Sequence, residues 1–397
     1  MCRWFPLRWH LVLRRDPHQL HRVHGLRLRR GSLIVAAIAL APPTAIAGAL
    51  AVERPDRAGL SQICSRVALT DPRPLWVYSM AWSRDGSRLL VPDPMGGEVF
   101  VFNREGAVEQ RLRRPGRGDL EFIRPGPIRP DRRGSFLQDG NLRVLTLDED
   151  GEPIRAADFA GRLYPGSQEV RALFDWTVAG DSVYSFSDVL QPDGAWRSGW
   201  FRFTLGDASR LEPVREVAID DPERQFYTLG SGHATAVAGR AYLLIMAPEP
   251  HILEVDGARQ RRLRSFPDGF SRRPTIPRLR KVEEIPLVFA AIERTAMPVG
   301  LFEEASRLYV LTRRPGERGT VWELTGIDPA ADRVVSRVRL PTAARHLVAA
   351  PGPQRWAFAE KSGIDQPGEQ QVLGLLFVPT AWLAGTSGST DPPPGCA

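Results

Sequence analysis

The chain has 397 residues, 43% hydrophobic and 25% charged, enough apolar material for a large core, which excludes a disordered tail, a collagen-like repeat and a coiled coil. Its formal net charge of +7 comes from one end: residues 1–47 hold Arg3, Arg8, Arg14, Arg15, Arg22, Arg27, Arg29 and Arg30 against Asp16, and the rest balances 45 basic with 45 acidic side chains. A nucleic-acid partner is excluded on that balance. Only Lys281 and Lys361 among the 53 basic residues are lysine, a bias spread along the whole chain and read as genomic composition.

After Arg29 and Arg30 the stretch Leu33 to Val52 is uncharged and rich in Ala. A basic leader, an apolar run to Ala41, the Pro42-Pro43 break and the small-residue site Ala45-Ile46-Ala47 follow the pattern of an export signal. Residues 1–51 are therefore expected to direct the chain to the periplasm or medium, with cleavage near Gly48 or Val52. The alternative is an uncleaved anchor over residues 33–52, the one membrane contact that the sequence suggests; the two prolines argue against a regular spanning helix. The leader is about twice the usual length, which suggests a true start codon further downstream. Beyond it, Cys64 and Cys396 have no metal-ligand spacing. An oxidising compartment would allow them to pair, but a free terminal thiol is the expectation because nothing fixes the tail.

From residue 75 onward short apolar runs of strand type recur between Gly, Pro, Asp and Asn turns, for example Val99-Phe100-Val101-Phe102 and Leu308-Tyr309-Val310-Leu311. The class is all-β. Aligning each strand-turn-strand unit on its turn gives Asp85-Gly86, Arg133-Gly134, Gly180-Asp181, Gly239-Arg240, Ala305-Ser306 and Gly352-Pro353, spaced 48, 46, 59, 67 and 46 residues apart. A unit of three or four strands cannot bury both of its faces alone, whereas six such units stacked around a ring can. Residues 52–383 are thus expected to form one six-bladed β-propeller with four-stranded antiparallel blades, and residues 384–397 a disordered Gly, Ser and Pro rich tail. Leu279 to Thr295 alone carries an apolar helical face, broken by Pro286, and is expected to be a short helical insertion near residues 279–295 between the fourth and fifth blades. A ring must also close, so Cys64 to Leu69 and Val372 to Val378 are expected to share a blade.

Arg113 to Gly151 resembles the repeats of NHL-type six-bladed propellers. The resemblance lies in Gly116, Gly118, Phe122 and Pro125, followed by Asp131 to Gly134, Asp139 and Asp148 to Gly151; Ser83 to Gly106 fits the same plan through Asp85-Gly86, Asp93 and Asn103 to Gly106. The four later units keep the spacing and lose the motif. The resemblance implies a propeller; related lyases bind zinc through channel histidines, and lactonase-like relatives hold a channel metal with Glu, Asn and Asp.

The sixth residue before each aligned turn falls on the innermost strand: Met80, Ile128, Phe174, His233, Gly300 and His346. Met80, Phe174, His233 and His346 are the candidate channel-lining binding residues. Two histidines in one ring layer fall short of the three ligands that a catalytic zinc takes, and His251 lies further out, so no metal site and no cofactor are assigned. The repeat aspartates read as turn-shaping carboxylates. No Gly-x-Ser-x-Gly elbow, P-loop or His-Glu-x-x-His is present. The expectation is an exported, non-catalytic binding or scaffold propeller of the cell envelope, with a protein, peptide or carbohydrate ligand at one face. The alternative is a metal-dependent lyase or lactonase-like enzyme that uses the channel.

Overall fold

The computed structural model describes residues 64–70, 74, 76–118, 120–131, 134–140, 143–158, 169–204, 207–218, 224, 227, 232–246, 249–270, 287, 290, 291, 294–317, 319–361, 372–385 and 395, all within the compact unit Arg54–Ala397. The expected export segment and most of the expected tail lie outside these residues, as does most of the expected insertion, of which Leu287, Ala290 and Ala291 are described as helical.

Six blades of four antiparallel strands form a ring. The first strand, β1 (Ser65–Ala68), belongs to the last blade. Blade one runs β2 (Ala81–Trp82), β3 (Arg88–Asp93), β4 (Glu98–Asn103) and β5 (Val108–Leu112) from the axis outward, and blade two runs β6 (Pro125–Asp131), β7 (Gly134–Asp139), β8 (Arg143–Leu147) and β9 (Pro153–Asp158). Blade three has the longest strands, β10 (Glu169–Ala179), β11 (Ser182–Leu190), β12 (Trp196–Thr204) and β13 (Asp207–Val217). Blade four is β14 (Ala234–Val237), β15 (Arg240–Ile245), β16 (His251–Asp256) and β17 (Arg259–Arg262), and blade five is β18 (Met297–Glu304), β19 (Arg307–Gly316), β20 (Gly319–Asp328) and β21 (Arg333–Arg339). Blade six is β22 (His346–Ala350), β23 (Arg355–Lys361) and β24 (Val372–Pro379), after which one helical turn, α1 (Thr380–Leu383), tucks Trp382 and Leu383 into the core.

The middle strands of a blade are buried on both faces, so they are continuously apolar and their period of two sorts side chains between two seams. In β4, Val99 and Val101 pack toward blade two with Leu137 and Leu145, while Phe100 and Phe102 pack toward blade six with Leu375 and Phe377. β23 does the same, with Ala357 and Ala359 toward blade one and Trp356 and Phe358 toward blade five. At the seam between blades six and one the alanines of β23 thus meet the rings of β4, whereas at the seam between blades five and six ring meets ring, Tyr309 and Trp356 lying 5.1 Å apart; burying each such ring stabilises by roughly 1.5–3 kcal/mol. The outermost strands are the reverse: β17 is Arg259-Gln260-Arg261-Arg262, exposed throughout.

All six aligned turns join an innermost strand to the second strand of its blade. Ala305 and Ser306 both take positive φ, +52° and +64°, the backbone of the mirror-image turn that matches strand twist, here without a glycine to ease it. Elsewhere carboxylates shape the turns. The Asp85 carboxylate accepts the Ser87 N–H at 2.9 Å and the Ser83 hydroxyl at 2.8 Å; burial works against the charge, but these bonds and Arg104 bring its pKa down to about 2. Asp148 accepts the N–H groups of Asp150 and Glu152, and Asp139 those of Ile123 and Arg124.

The ring closes between its ends. β1 is the outermost strand of blade six, antiparallel to β24 with Val67 opposite Leu375, and the ladder continues with Leu69 N–H donating to Leu373 O at 3.1 Å. Arg66 reinforces it across the sheet, donating to Glu360 and to Pro341 O, both at 3.0 Å. Cys64 is disulfide-bonded and buried among Trp356, Leu376 and Trp382; the expected free terminal thiol, Cys396, lies outside the described residues. The partner of Cys64 also lies outside them.

Candidate functional site

The innermost strands surround a cavity of about 860 Å³ on the ring axis, lined by residues of all six blades. Its walls mix apolar and polar surface in nearly equal parts, and Met80, His233 and His346 are among the lining residues, together with Ile128 of the same layer. Phe174 is not. β10 carries a bulge between Leu173 and Asp175, so the period slips by one: Phe174 turns into the seam against Phe186, under the Arg224 guanidinium at 5.5 Å.

Asp175, one residue on, is instead completely buried and links three blades. One of its oxygens accepts Arg129 of β6 at 2.6 Å and Trp176 N–H at 2.8 Å; the other accepts His233 N–H at 2.5 Å and faces His233 Nδ1 at 2.9 Å. Arg129 also donates to Trp176 O at 3.0 Å. Burial alone would raise the Asp175 pKa, but the Arg129 charge and the His233 bonds outweigh it and hold the carboxyl below its ordinary value. The carboxylate is fully occupied. His233 is fixed by the same bonds and by the Tyr227 ring, edge-on at 5.4 Å.

The opposite side of the axis is cationic. Lys361, the last residue of β23, stands opposite His346, and Arg313 of β19 opposite Met297, so both cations lie where inner strands begin. Both are buried, at 8% and 2% exposure, and both line the cavity. Burial pushes the Lys361 ammonium down to about 8. Burial, with the charges of Lys361, Arg313 and Arg345, pushes the His346 imidazole down to about 3, so it is neutral at physiological pH. The far end, near the β18–β19 turn, holds carboxyls: Glu303 lines the cavity, and burial plus the neighbouring Glu303 lifts Glu304 to about 7.

Sequence reasoning reached the layer but missed Arg129, Asp175, Arg313, Lys361 and Trp76. Arg129 and Asp175 directly follow the aligned positions Ile128 and Phe174, so a tolerance of one residue would have found them. Among the described residues no group of three or more His, Cys, Asp or Glu side chains could hold a metal ion, and no helix is long and apolar enough to cross a membrane.

No family model and no curated protein matches the chain. Solved structures similar to it include a duf4221-family protein from Bacteroides vulgatus, 11% identical over 80% of this chain and 98% of that one, TM-score 0.49. A gluconolactonase from Xanthomonas campestris is 15% identical over 82% and 93%, TM-score 0.44, and a streptogramin B lyase 10% identical over 79% and 96%, TM-score 0.38. At these identities the likeness concerns the fold alone.

Removing the Asp175 charge leaves Arg129 buried without its partner, so Asp175→Asn is expected to cost about 3–5 kcal/mol at neutral pH by chemical denaturation. Because the folded pKa lies below the unfolded value of 3.8, that stabilisation is complete above the unfolded value and is lost as pH falls through the folded one. The gap between wild type and variant should therefore narrow in acid; a constant gap would show that the charge does not hold the three blades.

Proposed function

We propose that this chain is an exported, non-catalytic binding protein that takes a small ligand, or the projecting end of a peptide or carbohydrate, in the axial channel. The observation that carries this is the cavity of about 860 Å³, of a size suited to ligand binding and with both apolar and polar walls, opening among all six blades. The buried Asp175 carboxylate is spent on the lining residues Arg129 and His233, which supports a role in rigidity and not in turnover. The export part of the reading is supported by the basic leader and the apolar run that follows it. N-terminal sequencing of the product from periplasm or medium is expected to begin near Gly48 or Val52; an intact leader in the membrane fraction would overturn it.

A second reading, an enzyme acting in the channel, is favoured by one observation. A carboxylate holding a histidine Nδ1 at 2.9 Å is the pairing that orients a general base. Dialysis of the purified protein against an envelope metabolite extract, with mass spectrometry of what it retains, separates the two. The binding reading expects a small molecule retained and released unchanged by denaturant. Release of a chemically altered molecule would support the enzyme instead, and retention of nothing would contradict both.

A further inference from the structure

Lys361 is costly where it stands. It is buried, and its Nζ donates to Val77 O at 3.0 Å and lies 5.7 Å from the Trp76 ring centre. Among the described residues no carboxylate pairs with it, so a single carbonyl answers an ammonium with three donors. The carbonyl and the cation–π contact with Trp76 compensate that charge only in part; a buried charge without an ionic partner destabilises a fold, and a methionine would fill the same space without that cost. The indole of Trp76, in the same stretch of cavity wall, has its Nε1 buried without an acceptor. Two neighbouring donors, one charged, thus lack what a single anionic acceptor would supply. The surrounding field has the same sign, since Arg313 lines this end and Arg345 lies close enough to act on His346. Asp175, which bonds the lining residues Arg129 and His233, is saturated by blades two to four, and Glu303 lines the cavity at the other end. Beyond these donors the wall offers apolar surface from Val77, Met297, Trp322 and Leu347.

We propose that the channel binds an apolar molecule carrying one carboxylate, with the carboxylate seated on Lys361 Nζ and Trp76 Nε1 and the apolar body along the axis. The proposal rests on the channel being a ligand site. One ammonium and one indole N–H match the single charge and two oxygens of a carboxylate, and leave the body of the ligand to hydrophobic contact.

The test is calorimetric titration of the purified chain with octanoate and with octanol, which share the apolar body and differ in the anion. Octanoate is expected to bind about tenfold or more tightly than octanol, the worth of a charge-assisted hydrogen bond. Lys361→Met should abolish that preference and leave octanol affinity unchanged, Lys361→Arg should keep much of it, and Trp76→Phe should weaken octanoate alone. Lys361→Met should also melt no lower than wild type, whereas a lysine kept only to hold Val77 would make it melt lower. Equal binding of the two probes, or an unaltered preference in Lys361→Met, would overturn the anion seat while leaving the channel as a site. Binding of neither probe would overturn the seat and count against the channel as a site.

Discussion

The pairing of β1 with β24 is the constraint on which the rest depends. Each blade presents two apolar faces and covers neither, so stability accrues only when every blade has a neighbour on both sides. Five seams follow from chain order. The sixth, between blade six and blade one, joins residues separated by almost the whole chain, and its rings and alanines meet only if a strand from the start of the domain completes the last sheet. Closure also removes what would be an open edge on β24, whose unpaired backbone groups would otherwise invite a second chain. The disulfide-bonded Cys64 directly precedes this short strand, and Arg66 within it bonds to Glu360 and Pro341.

A closed ring brings six inner strands together around an axis that they do not fill, and the chain treats the two sides of that axis differently. Blades two, three and four are tied by a carboxylate whose every contact is satisfied, a polar network that specifies their relative positions. Blades five and six instead contribute buried cations, one of which bonds across the closing seam to the Val77 carbonyl of the segment that leads into blade one. The first arrangement is what a rigid scaffold requires. The second holds Lys361 against a stability cost, which is characteristic of positions kept for binding.

Much of the architecture was legible because it is local and repeated. The six turns are short, each is bounded by apolar runs, and their spacing alone located every innermost strand; the alternation in β4 and β23 announced two buried faces. The closing strand was legible from the logic of the ring more than from Ser65 to Ala68, a four-residue strand with little pattern of its own. What escaped was non-local or hidden by a slip of one residue. The bulge in β10 turned Phe174 into a seam and buried Asp175, which meets its partners 46 and 58 residues away. Lys361 meets Val77 at a separation of 284 residues, and nothing in its immediate sequence marks it apart from being, with Lys281, one of two lysines in a chain that otherwise uses arginine. The pattern of glycines, phenylalanine and aspartates read in Ser83 to Gly106 and Arg113 to Gly151 is confined to the first two blades. There Phe122 is buried in the seam between them and the repeat aspartates accept turn N–H groups, so the motif describes how blades join and leaves the chemistry of the channel open.

The central claim, that a closed ring holds the whole domain, is tested most directly by calorimetric melting of Val67→Pro. Leu69 donates to β24, so by the alternation of an antiparallel strand Val67 donates there too, and proline removes that bond along with the fit of β1. The account predicts a single cooperative transition displaced to markedly lower temperature, because loss of closure loosens every seam. An unchanged melting temperature, or a small separate transition beside an unshifted main one, would show that the blades stand without the clasp and would contradict it.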